Sequence, residues 1–345
     1  MRPALRVLAP GFHTTVQDLG RTGYQDIGVP VSGALDADSL RLANALVGNP
    51  PAMAALEILL SGPTFEVAAD AVRVALAGPG ASLKVGREQA AVVAGGQSLM
   101  LPRGEIFQVL VNQQSACCYL AVEGGIAVPL VLGSASTYVR AALGGFEGRP
   151  LRRDDTVPLA IESPSERVEW GLPKPLDVAG GDLPIRIVLG PQREYFAEDA
   201  TAALLGEEFR ISQSADRMGM RLDGPRLHHR GGWDIVSDAI VTGAVQVPGS
   251  GQVIVLLADH QTTGGYPKIA TVISADLPVV GRRRPGDALR FAAVTVEEAE
   301  KISREAERSF ARLVAALEPV SDGGAIDLLS LYADNLISGV VSGVD

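Results

Sequence analysis

Cysteine is almost missing from this chain of 345 residues: there are two, side by side at Cys117-Cys118. A disulfide between chain neighbours is badly strained, so a disulfide framework is excluded and the pair reads as buried small hydrophobes. Histidine is scarce too, with four in all. The adjacent pair His228-His229 would send its rings to opposite faces of a strand, and no His-Glu-x-x-His or Cys-x-x-Cys accompanies it, so no metal site is expected. Positive charge is short, 30 Lys and Arg against 40 Asp and Glu, a net charge of −10. That balance repels a phosphate backbone or an anionic leaflet, and the one dense basic cluster, Arg282-Arg283-Arg284, is too small for a nucleic-acid footprint. Long apolar runs are absent: stretches such as Val253 to Ala258 fall far below the roughly 18 residues a membrane helix needs. Pro3, Pro10 and Gly11 interrupt what would be a signal-peptide core. A cytoplasmic protein with no membrane or nucleic-acid partner is expected.

Several nucleotide and nucleophile motifs are missing as well. There is no phosphate-cradling Gly-x-x-x-x-Gly-Lys, Gly78-Pro79-Gly80 meets Leu83 where a dinucleotide fingerprint wants glycine, and Gly-x-Ser-x-Gly does not occur. No Met-Lys-Met is present, so biotin is not attached to this chain.

What is present is turn formers in an apolar chain: 39 Gly and 22 Pro with 47% hydrophobic and 20% charged residues. The combination predicts a folded, mainly β protein with a few helices. At this length two domains are expected. Positions 32–48 predict a short amphipathic helix, with Asp36 as N-cap and Gly48 as stop. Between Leu56 and Leu159, FEVA, VRVALAG, AAVVAG, FQVLVN and CYLAVEGG read as strands parted by turns. The aperiodic segment from Ser163 to Asp182 is the boundary, giving domains 1–163 and 184–317 and a tail, 318–345, with an apolar stretch at Ile326 to Leu331. In the second domain IRIVLG, FRISQ, GAVQV, VIVLLAD, KIATVI and LRFAAV read as strands and Gln192 to Leu205 as a helix. A closing helix starts at Thr295, where Thr295 and Glu298 form a capping box and Ile302, Ala306, Phe310, Leu313 and Leu317 keep helical spacing. LPRG before YLAVEGG, and VPGSG before LLADHQTTGG, make a weak internal echo that leaves duplication of a β unit open.

Three segments carry candidate chemistry. The richest runs from Asp259 to Lys268, where Gln261, Thr262, Thr263, Tyr266 and Lys268 follow an apolar strand and Gly264-Gly265 allows close approach to a carbonyl or carboxylate; a decorated turn is the plain alternative. In SADRMGM, Asp216-Arg217 could present a carboxylate and a guanidinium, or pair at the surface. In the third, Gln17 to Tyr24, Arg21 is a candidate anion clamp, followed by Ser32 and Asp36. Glu57, inside an apolar run, is either exposed or partnered to one of these arginines.

The segments QDLGRTGYQDIGVPVSGALDADSLRLAN, GSASTYVRAALGGFEGRPL, SADRMGMRLDGP, GAVQVPGSGQ and ADHQTTGGYPKIATVISADL closely resemble the family of the 5-oxoprolinase C subunit. That family is also called allophanate hydrolase subunit 2, the biotin-dependent carboxyltransferase-like family or the kinase-inhibitor antagonist A family. The resemblance runs from about Leu8 to Val294. It implies two cyclophilin-like β-barrel domains, and membership of a complex with a homologous B subunit and a separate A subunit that uses ATP to hydrolyse 5-oxo-L-proline to L-glutamate. It also implies two alternatives: carboxyl transfer from carboxybiotin to urea, or non-catalytic antagonism of a kinase-inhibitor-like partner. On the first reading Gln261, Thr262 and Thr263 would donate to a lactam or acyl-phosphate oxygen. Arg217 or Lys268 would stabilise charge, Asp216 would orient, and Arg21, Ser32, Asp36, Gly264, Gly265 and Tyr266 would line the same cleft around a small amide or ureido substrate.

Overall fold

A computed structural model describes residues 2–87, 90–174 and 183–320. The expected tail lies outside the described residues from 321 onward, as does part of the expected boundary, 175–182.

The first half is built from two antiparallel sheets. One orders its strands Thr156–Pro158, Ala4–Ala9, Thr64–Val67, Ile106–Leu110, Ser82–Val85 and Ala91–Ala94; the other His13–Gln17, Ala55–Leu59, Cys117–Val122, Ala71–Ala77 and Ser98–Pro102. Side chains alternate along a strand, so each sheet has two chemically separate faces. Leu56, Ile58, Val74, Leu76, Cys118 and Leu120 turn inward against Leu5, Val7, Phe65 and Phe107 of the facing sheet. Their neighbours Ala55, Ala75, Ala77, Cys117, Tyr119 and Ala121 turn outward, where helix α1 (Ala37–Val47) covers them with Leu40, Ala43, Leu46 and Val47. The two cysteines are thus buried and free, one on each face. Asp36 caps α1 by accepting from the Ser39 amide, and Gly48 ends it with a left-handed φ of 77°. The same alternation sets Glu57, between Leu56 and Ile58, on the outward face opposite Tyr119.

The second half holds an eight-stranded sheet in the order Ala288–Leu289, Phe209–Ile211, Gly219–Asp223, Ile254–Leu256, Ala244–Gln246, Lys268–Val272, Ile185–Leu189 and Phe291–Ala293. Its two end strands are separated only by Arg290, so the sheet curls into a nearly closed barrel. All its pairings are antiparallel except Ile185–Leu189 with Phe291–Ala293. Ile187, Phe209, Val245, Val255, Ile269 and Phe291 fill it. The run LRFAAV is two strands rather than one, and Gly219–Asp223 is a strand the periodicity did not show. Helix α2 spans Glu198–Gly206, with a short 3-10 turn at Arg193–Tyr195 in place of its expected first turn.

The halves meet along a tight seam. Helix α3 (Leu277–Gly281) presses Gly281 so close to Leu35 that a Cβ there would sit 2.3 Å from the Leu35 carbonyl oxygen. Ser32 N donates to Ala258 O at 3.0 Å and Ala116 N to Arg282 O at 2.7 Å. The basic triplet serves this seam: Arg282 pairs with Asp36 at 3.5 Å, and Arg284 donates to Asn112 O at 2.9 Å. Helix α4 (Val296–Ala315) begins with the expected Thr295–Glu298 capping box. It also reaches across the seam, where Phe310, Leu313 and Leu317 pack beside α1 and Arg41 lies 4.0 Å over the Phe310 ring. No helix among the described residues is long and apolar enough to cross a membrane.

Candidate functional site

The seam opens into a cleft of about 350 Å³ whose lining includes His13, Arg140, Asp216, Arg217 and Asp259. Arg217 forms its floor. It sits just before the strand Gly219–Asp223, in a tight turn where the Asp216 carboxylate accepts from the amides of Met218 at 2.8 Å and Gly219 at 3.2 Å. That turn drives the guanidinium inward, where it is 6% exposed.

Every edge of the guanidinium is engaged. Its Nε and Nη2 grip Asp259 at 2.8 and 3.1 Å, Nη1 donates to Glu57, and Nη2 also donates to Gly33 O at 2.7 Å. Gly33 holds a left-handed φ of 89° with Gly20 packed against it, a position that only glycine fits. Glu57 in turn accepts from the Tyr119 hydroxyl at 2.6 Å and from the Leu35 amide at 2.9 Å, while the Asp36 amide donates to the Tyr119 oxygen at 2.9 Å. One cation and two carboxylates are therefore buried together across the seam and mutually satisfied. Burial works against the Arg217 charge, but Glu57 and Asp259 outweigh it and hold its pKa above the ordinary value. Burial, with the Glu57 carboxylate next, pushes Tyr119 well up and keeps its phenol a donor.

His13, first residue of the edge strand beside Ala55–Leu59, lines the cleft, and its Nδ1 is buried with no hydrogen-bond partner. Burial pushes its pKa down, Glu57 and Asp259 pull it up and Arg217 lowers it, so the ring is neutral above its ordinary 6.5. Arg140 stands on the wall with a long ion pair of 3.9 Å to Asp216.

Of the sequence-predicted residues, the structure brings Asp216 and Arg217 to this cleft. Burial lowers the Arg21 pKa, and the charges of Asp18 and then Asp259 offset it only in part. Arg21 is 1% exposed, donates to Ser136 O and, at 3.4 Å, to Val131 O, and leaves its Nη1 without a partner. Ser32 faces a second cavity, and Asp36 is the cap of α1. No residue of the Gln261 to Lys268 segment lines either cavity. Thr263–Gly264 instead pair with Asp238–Ala239; Thr262 is buried, Gly265 is partly buried, Tyr266 is half-exposed against Trp233, and Lys268 Nζ binds Asp238 at 2.8 Å and Ala239 O. Glu57, Tyr119, His13 and Asp259 complete the constellation. Among the described residues no group of His, Cys, Asp and Glu is arranged to hold a metal.

The chain is a mostly β protein whose two β units meet at a buried arginine–dicarboxylate cluster, and comparison with known proteins places it in a family. The chain belongs to the carboxyltransferase domain family, subdomains A and B, whose sequence pattern matches residues 27–293. It is 37% identical over 309 residues to the 5-oxoprolinase C subunit of Escherichia coli K12, covering 90% of this chain and 97% of that protein. To the Haemophilus influenzae protein of the same name it is 36% identical, covering 85% and 92%. Among solved structures it is similar to the K. lactis urea amidolyase, with a TM-score of 0.83 and 30% identity over 93% of this chain but 21% of that one.

Proposed function

We propose that the chain is the C subunit of an ATP-dependent 5-oxoprolinase complex, acting with an A subunit and a homologous B subunit to open 5-oxo-L-proline to L-glutamate. The near full-length likeness to proteins named as 5-oxoprolinase C subunits carries this reading. The cleft supports it chemically. Arg140, held only by its 3.9 Å ion pair among the described residues, takes the substrate carboxylate. The lactam lies beside His13, whose neutral ring accepts a proton as water adds to the carbonyl. Arg217, fixed by Glu57 and Asp259, ties the two halves together under the cleft and so sets the distance between His13 on one wall and Arg140 on the other. Arg282 and Arg284 are engaged at the seam and the sequence carries no Gly-x-x-x-x-Gly-Lys, so ATP chemistry is assigned to the complex and no step on this chain runs through it.

Reconstitution with the A and B partners tests the reading through glutamate release with and without ATP. ATP-dependent release that vanishes when this chain is omitted supports it, and release from the two partners alone overturns it. Within the active complex, His13→Asn is expected to lower kcat about 100-fold with KM little changed.

A second reading, carboxyl transfer to an amide or ureido acceptor, is favoured by the family match and by the urea amidolyase likeness. Transfer from a biotinylated carrier by an assembled complex that releases no glutamate is its signature. A non-catalytic antagonist would leave both activities unchanged when His13 is replaced.

A further inference from the structure

The loop that carries Arg140 is held from beneath by residues that touch neither cavity. It runs from Leu132 to Gly148, and only its tip, the 3-10 turn Val139–Ala141, sends side chains to the Arg217 cleft. Three of the six non-glycine residues with positive φ among the described residues lie in it: Leu132, Ala142 and Glu147. Backbone of that kind persists only where its surroundings over-determine it, and it gathers where a segment must be aimed.

The holding is done by the strand His13–Gln17 and the turn after it. Thr137 N donates to Val16 O at 3.0 Å, and Gln17 Nε2 donates to Thr137 O at 3.1 Å. The Asp18 carboxylate accepts from the Ser134 hydroxyl at 2.7 Å, the Ser136 hydroxyl at 2.5 Å and the Ala135 amide at 2.6 Å. Arg21 crosses the foot of the loop, with Nη2 donating to Ser136 O and Nε to Val131 O at 3.4 Å. Gly144 closes on both, since a Cβ there would sit 2.2 Å from Ser136 O and 2.8 Å from Arg21 Nη2. Above the foot, Tyr138 and Leu143 exchange backbone hydrogen bonds of 2.8 and 3.1 Å, and Arg140 reaches across the seam to Asp216. Arg21 itself is 1% exposed and lines neither cavity, so it clamps no anion and acts only through the loop it holds.

We propose that Arg21 is a positioning residue, which by fixing the loop at Ser136 sets where the Arg140 guanidinium stands to receive a substrate carboxylate. The carboxylate part rests on the oxoprolinase reading, and the positioning of the tip does not.

Two experiments test the two parts. In the reconstituted complex, Arg21→Lys keeps the charge and loses the fork between the two carbonyls; it is expected to raise KM for 5-oxo-L-proline about tenfold and to change kcat less than threefold. A variant that only loses folded protein lowers kcat and leaves KM alone. Arg140→Ala should raise KM at least as much, and adding Arg21→Lys to it should raise KM no further, because the effect runs through Arg140. Gln17→Met removes one donor to Thr137 O and no charge; it should give the same split on a smaller scale, and it decides the matter where Arg21→Lys does not fold. In the purified chain, hydrogen exchange read by NMR should quicken at the Tyr138 and Leu143 amides at least tenfold more than in the strand Cys117–Val122. A fall in kcat at unchanged KM, no KM effect of Arg140→Ala, additive effects in the double variant, or equal quickening in tip and strand overturns the proposal. A parent complex that releases no glutamate overturns the oxoprolinase reading instead, and the exchange result still decides whether Arg21 positions the tip.

Discussion

Arg73 and Arg217 are the same residue in nearly the same electrostatic setting, and they do different things. Each is buried, and each is clasped by two carboxylates, Arg73 by Glu123 and Glu169 and Arg217 by Glu57 and Asp259. Arg73 also donates to the carbonyls of Ser165 and Arg167 at 3.0 Å, pinning the segment after the first half onto the sheet that holds Ala71–Ala77. Its neighbourhood is local to the first half. Arg217 ties Gly33 and Glu57 of the first half to Asp259 of the second and floors a cleft beside a histidine with an unpartnered nitrogen. A buried arginine–carboxylate cluster is therefore no mark of a site by itself, because desolvation makes any such cluster complete its own pairing. The adjoining space and the unsatisfied atom beside it separate function from structure.

The largest effects come from breaking either clasp. Arg217→Met leaves Glu57 and Asp259 buried without a cation and is expected to cost roughly 3–5 kcal/mol in chemical denaturation, and Arg73→Met less, because Glu123 and Glu169 are only partly buried and Glu123 keeps Arg167 at 3.8 Å. The comparison sharpens with lysine, which keeps the charge but loses the planar fork. Arg73→Lys should leave the specific activity of the folded complex near that of the parent, whereas Arg217→Lys should lower it at least tenfold. Equal losses in both would mean that Arg217, too, acts only through stability.

A smaller separation is expected in pH. His13 titrates at 6.5 in the unfolded chain and lower in the folded one, so below 6.5 the unfolded chain takes up a proton that the folded chain refuses. Stability is complete above that value and falls on acidification below it. His260 adds a contribution of the same sign, so His13→Asn should flatten the slope between about pH 7 and 5 without abolishing it. The Arg73 cluster answers in a different window. Burial pushes Glu123 upward, but the Ser165 hydroxyl and amide and then Arg73 outweigh it and hold the carboxyl below its ordinary 4.5. Its contribution is present above pH 4.5 and lost below, so Glu123→Gln should lower the plateau above pH 4.5 and flatten the acid limb while leaving the slope between about pH 7 and 5 unchanged. Urea melts at stepped pH distinguish the two.

Much of this is readable from local sequence, and what is not has a physical cause. The cap and stop of α1, the capping box of α4 and most strands follow from local periodicity and turn chemistry. Glu57 stands out as a charge inside an apolar run, and its partner is one of the arginines singled out on chemistry alone. Arg73 carries the same signal inside VRVALAG, yet nothing beside it in the chain hints at a partner. Tyr119 cannot be found locally, because its place opposite Glu57 is set by the pairing of strands some sixty residues apart. His13 looks like part of an ordinary amino-terminal strand, and only the seam shows that its ring borders a cleft. The Gln261 to Lys268 loop shows the converse, since the chain alone does not say which cavity a polar loop borders, and this one lines neither of the two described. Its polar density is real, but Lys268 answers Asp238 and the Gln192 carboxamide, and the hydrogen bonds close within the barrel.

That loop supplies the smallest expected effect. Thr263 is exposed, its backbone pairs with Ala239 and it lines neither cavity, so the loss of its hydroxyl removes nothing from the cleft. Thr263→Ala should change the turnover of the reconstituted complex less than twofold, where the loss of a transition-state donor would cost about 100-fold. The neighbouring ion pair behaves in the same way: Asp238 is at the surface, and Lys268→Met should shift denaturation more than turnover because the ammonium steadies Asp238–Ala239 and does not face the cleft. A 100-fold fall for Thr263→Ala, with assembly intact, would move the chemistry from the seam to the barrel loop, and Arg217 would then join Arg73 as a structural clasp.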